Sequence, residues 1–125
     1  MPYWGNGLDE CDYAFDAVGA YVFLIKDKML RDMATVIEKA YPEQSIAASL
    51  ACLRQIGERF PRELAVGFRR KDLEHVKRGF DQWYSLVGDN LPPERRVAIL
   101  AEAKREFDVF DERFGVLSKR PHGPS

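Results

Sequence analysis

Four stretches of this chain place apolar residues three or four positions apart, and breakers separate them. That spacing puts side chains on one face of an α-helix and is incompatible with the two-residue alternation of a half-buried strand. In the first stretch the series is Phe15, Val18, Val22, Ile25, Met29, Met33, Val36 and Ala40. It predicts a helix from about Cys11 to Tyr41, stopped where Pro42 pushes its predecessor out of the α conformation. Asp27 offers a point where this helix could break and a second one be capped. The β-branched and aromatic run from Tyr21 to Ile25 leaves a strand as the alternative there.

The second stretch, Glu43 to Phe60, carries Ile46, Leu50, Leu53 and Ile56 on one side, with Ala47, Ala48 and Ala51 beside them. Small residues there let another helix approach closely. Pro61 to Lys71 reads either as one helical turn closed by Gly67 or as an irregular connector. Asp72 has the character of an N-cap for a helix to about Val87 that buries Leu73, Val76, Phe80, Trp83 and Val87, and Gly88-Asp89-Asn90 stops it. Pro92-Pro93-Glu94 opens the last helix, which repeats Val97, Leu100, Ala103, Phe107, Phe110 and Phe114 and which Gly115 is expected to close.

These segments predict an all-α fold, a single-domain antiparallel helical bundle or a short HEAT-like stack of four to five helices. The 125 residues suffice for one core, and eight Phe, five Tyr and two Trp can fill it. The domain is expected to span residues 1–117, with 118–125 as a flexible tail that has little to bury. The longest apolar run, Ala20 to Ile25, is far short of the roughly 20 residues needed to cross a bilayer, so it reads as a core segment. With no secretion signal or lipidation motif at its start or end, the chain is expected in the cytoplasm, and no membrane partner is expected. Cys11 and Cys52 lack metal-ligand or CxxC spacing and read as small, buried, reduced hydrophobes.

Chemistry is sparse. His75 and His122 are the only histidines. No G-x-S-x-G elbow, P-loop or dinucleotide fingerprint accompanies them, so no catalytic residue and no cofactor is assigned. Asp72-x-x-His75 supplies half a metal site at best, and no metal centre is assigned. Asp12 and Asp16, one helical turn apart, share a helix face near Gly5 and Gly7. Beside His75 in a cleft they would suit a small enzyme or a ligand- or cation-binding protein. The structural reading has Asp12 accept N–H bonds from the glycine turn and lock a buried Trp4 against the helices, while Asp16 stays solvated or pairs with a base.

Charge is nearly balanced at −1 overall yet uneven along the chain. Residues 1–53 hold four Lys or Arg against eight Asp or Glu, whereas residues 54–78 hold eight against four. Arg69, Arg70 and Lys71 form the densest basic run. The near-neutral total, with no helix-turn-helix or other binding module, argues against nucleic acid. A protein partner docking near the N-terminal loop or this basic run fits better, with Trp4, Asp12, Asp16, Arg69, Arg70 and Lys71 as candidate binding residues.

Trp4-Gly5-Asn6-Gly7, four further residues, and Asp12-Tyr13-Ala14-Phe15-Asp16 make up W-G-x-G followed by D-x-A-x-D. This opening resembles that of a family of short bacterial helical proteins known only as a domain of unknown function, and the resemblance covers about a sixth of the chain. It implies a small cytoplasmic helical protein with no assigned reaction. Similar small proteins include immunity partners of bacterial toxins, so a non-enzymatic interaction module, an immunity or accessory protein, is the function expected.

Overall fold

The computed structural model describes residues 12–118, and side chains within residues 13–115. Five helices follow in order: α1 Asp12–Lys39, α2 Ile46–Arg59, α3 Pro61–Gly67, α4 Arg70–Val87 and α5 Pro93–Ser118, with a 3-10 turn at Gly88–Asn90 before the last. Among the described residues there is no strand. The chain is therefore all-α, as its periodicity predicts. Helix α1 packs on α2, α3 and α4, while α5 packs on α2 and α4.

Each boundary has a local cause. Helix α1 runs through Asp27 without a break, because Asp27 sits on the solvent side and pairs with Arg31 one turn on, at 3.0 Å. It ends in a Schellman turn. Ala40 takes the left-handed conformation, φ 51°, and its N–H donates to Ile37 O at 3.3 Å while that of Tyr41 donates to Val36 O at 3.1 Å. Helix α2 starts three residues later than the sequence suggests, at Ile46, whose N–H donates to the Gln44 side chain at 2.6 Å. Pro61 occupies the first position of α3, where its missing N–H costs nothing, so the Pro61 to Lys71 region contains a helix.

Asp72 is not the N-cap of α4. It lies three residues inside, and its carboxylate reaches back to accept the Arg69 N–H at 2.8 Å, the acidic half of a capping box. Gly115 does not close α5, which continues to Ser118. The expected tail, residues 118–125, otherwise lies outside the described residues, as do Cys11 and His122.

The core gathers Val22, Met29 and Met33 of α1, Leu50 and Leu53 of α2, Leu64 of α3, Leu73, Val76, Phe80 and Trp83 of α4, and Phe110 of α5, with Phe68 from the α3–α4 link. Two stretches depart from expectation. Of the run Ala20 to Ile25 only Val22 is fully buried, and Tyr21, Phe23 and Leu24 are 56%, 53% and 63% exposed. A helix can turn just one stripe inward, and here the apolar residues go all the way round. Val97 and Leu100 are likewise exposed on the first turns of α5. Cys52 is exposed as well, on the solvent side of α2, so it is no buried hydrophobe.

Two glycines let helices close on α1. A Cβ at Gly79 would overlap the Met33 sulfur, and one at Gly67 would stand 2.6 Å from Val22 Cγ1. Met33 is flexible and can yield, but Val22 is β-branched and fixed at χ1. Gly67→Ala should therefore destabilise by about 1 to 3 kcal/mol, the range for overpacking a core. Ala40→Gly should instead stabilise by up to about 1 kcal/mol by relieving the left-handed alanine. Denaturant unfolding of the two variants checks both signs.

Candidate functional site

From Ala17 to Ile25, α1 carries apolar residues around its whole circumference. Tyr13, Ala17, Ala20 and Leu24 recur at four, three and four, so they form a stripe on the side opposite Val22. Because Gly67 admits Val22, α3 lies close along one flank, and the Phe23 ring comes within 4.0 Å of where a Gly67 Cβ would stand. The result is a shallow depression in which Ala20 and Phe23 face Arg62 and Val66 of α3. It continues along α1 over Leu24 to Leu30. Val66 is 57% exposed, so the apolar surface crosses from one helix to the other.

Charges border this surface. The Lys26 ammonium lies 4.9 Å from the centre of the Phe23 ring and 3.5 Å from an Asp72 carboxylate oxygen. It thereby ties α1 to the first turn of α4. Arg69 Nε–H donates to Val66 O at 3.4 Å, which holds that guanidinium over the end of α3. Asp16, Asp27 and Glu63 also reach the rim, so its charge is mixed.

The candidate residues divide. Trp4 and the rest of the W-G-x-G turn lie outside the described residues, as does the Asp12 side chain. Asp16 is exposed and sits in the depression with Arg62 and Val66. Arg69 and Lys71 are exposed at the start of α4, and Arg69 reaches the depression through Val66. Arg70 turns the other way: its Nη2–H donates to Phe114 O at 3.0 Å, and its guanidinium carbon stands 5.9 Å from that ring's centre, tethering α4 to the end of α5. His75 lies on another depression, with Glu38, Arg78 and Gln82 around Leu30 to Ile37 of α1. From Asp16 to that stretch of α1 is about 20 Å at the rise of an α-helix, so the described residues bring Asp16 and His75 to separate places. Among them, no group of three or more His, Cys, Asp or Glu could hold a metal ion. No described helix is long and apolar enough to cross a membrane.

One polar feature escapes a reading of the sequence. Glu106 is buried at 4% exposure among core residues of α5 and accepts Arg54 Nε–H at 2.8 Å and Nη2–H at 3.4 Å. Arg54 also donates to Glu58 at 3.2 Å. The hydrogen bond and charge of Glu106 hold the guanidinium above its ordinary pKa, so it stays charged far into the alkaline range. This pair fastens α2 to α5. Glu106 stands between Ala103 and Phe110 at the three and four spacing of the core face, the one trace of it in the sequence.

Neither a protein-family model, nor a curated protein, nor a solved structure matches the chain.

Proposed function

We propose that this chain is a non-enzymatic protein-interaction module whose partner docks on the α1–α3 face. The supporting observation is the continuous exposed surface of Ala20, Phe23, Leu24 and Val66, edged by Lys26, Arg62 and Arg69. Aromatic and aliphatic side chains held on rigid helices, with a charged rim, have the composition of an interface centre and its border. Aromatic anchors such as Phe23 contribute affinity, while the rim governs encounter and register. Although the rim as a whole is mixed in charge, Arg62 and Arg69 at its α3 end favour an acidic patch on the partner there. An immunity or accessory role is the form that the family resemblance lends to this reading.

A photo-reactive residue placed at position 24 should cross-link a defined protein in the native host, whereas one at position 97, on the exposed start of α5, should not. Equal capture at both positions contradicts the proposal. With the cross-linked protein purified, replacing Arg62, Arg69 and Lys71 by Ser should slow association several-fold at low salt and remove most of its salt dependence. Arg70 is left in place because it packs on Phe114. An association rate indifferent both to salt and to these substitutions removes the basic rim from the interface.

A further inference from the structure

Helix α3 separates two depressions. Its Arg62 and Val66 side belongs to the face described above, whereas its Leu64, Ala65 and Phe68 side looks towards α5. There the two helices flank an open groove of about 400 Å³ whose lining includes Pro61, Ala65, Val109 and Phe114. Leu64, Phe68 and Phe110 are each about 1% exposed, and the Phe68 and Phe110 rings meet edge to face at 5.2 Å. The floor is thus made of packed core side chains, and its shape does not depend on mobile residues. An apolar groove of this size, floored by packed side chains, offers a small organic molecule a surface of fixed shape.

One polar group stands out on its wall. Arg113 is half-buried, and its Nη1 lies 3.0 Å from where a Cβ at Gly57 of α2 would stand. The bare backbone of Gly57 makes room for the guanidinium at the meeting of α2, α3 and α5. Two turns earlier on α5, Glu106 occupies the corresponding position and satisfies Arg54 with paired hydrogen bonds. Arg113 has no such arrangement: no hydrogen-bond or ion-pair partner holds it among the described residues. A partly desolvated guanidinium with open donors, next to an apolar groove, is matched by a planar anion with an apolar body. Glu112, exposed at the mouth, disfavours ligands with further negative charge.

We infer that the α3–α5 groove binds an amphipathic monocarboxylate, a medium-chain or aryl-substituted alkanoate, with its carboxylate on Arg113 and its body against Pro61, Ala65, Val109 and the exposed edge of Phe114. This site is independent of the protein-docking face, since it uses the opposite side of α3. Its affinity comes from burying the ligand's chain, and its selectivity for acids from the fork of guanidinium donors.

The test titrates the full chain with octanoate and with 4-phenylbutanoate, following the amide resonances of Phe110 and Phe114, with octan-1-ol as the uncharged control. At least one acid should bind saturably and shift those resonances, with octan-1-ol about tenfold weaker or worse. Arg113→Gln should weaken the acid about tenfold. Ala65→Trp, at an exposed position on the groove wall, should abolish binding without lowering the unfolding midpoint. Absence of saturable binding by either acid overturns the inference. So does equal affinity for octanoate and octan-1-ol in the unmodified chain, a result that needs no variant to fold.

Discussion

The arrangement of this molecule depends on one hydrogen bond at the far end of its longest helix. The Trp83 indole, fully buried one turn before the end of α4, donates its N–H to the carbonyl of Tyr41 at 2.7 Å. Tyr41 closes the Schellman turn of α1, so its N–H is already engaged with Val36, and Pro42 follows with no N–H of its own. An indole N–H buried without an acceptor costs about 1 to 3 kcal/mol, so this geometry is strongly preferred over neighbouring registers. It seats the end of α1 on α4, and the aromatic group of Phe80, Trp83 and Phe107 carries the same packing on to α5. Gly79 against Met33 and Gly67 against Val22 then set how closely α1 approaches its two supports.

Once α1 is fixed in this way, the side it turns outward is fixed too. Between Tyr13 and Ile25 the helix has apolar residues on every side, and Tyr13, Tyr21, Phe23 and Leu24 stay exposed. Val22 goes inward because Gly67 leaves it space, so Phe23 and Leu24 must face α3's flank and the solvent. The seven residues of α3 consequently do two jobs. One side completes the exposed α1 face, and the other flanks the apolar groove against α5.

How much of this could be read from the chain follows from the range of the interactions. The all-α class, the buried series of α4 and the stops at Pro42, Pro61 and Gly88 to Asn90 are local in origin, and spacing and breakers announce them. The direction of α1 is not local. A run that is apolar all round contains no phase information, so the sequence reads Ala20 to Ile25 as core and only the position of α3 decides which side turns outward. The link between Arg54 and Glu106 joins positions 52 apart, and periodicity marks Glu106 only as a polar residue on an apolar stripe. Asp72 shows a smaller version of the same limit, since an acid near a helix start serves equally as N-cap or as the third residue that folds back. Of the residues singled out from motif and charge, Asp16 and Arg69 lie at the exposed face, Lys71 is exposed on the first turn of α4, and Arg70 is taken up by Phe114. Phe23, Leu24 and Val66 were missed because exposure of an apolar side chain has no signature in a single sequence.

The account rests on the claim that the outer α1 side chains serve a surface and contribute little to the fold. Equilibrium unfolding of the double variant Phe23→Gln, Leu24→Gln, which keeps good helix formers at both positions, tests this most directly. A loss below about 1 kcal/mol is predicted, as for exposed positions away from caps and core. A loss of about 3 kcal/mol or more, the scale of removing packed core side chains, would contradict it and return this stretch of α1 to the hydrophobic core.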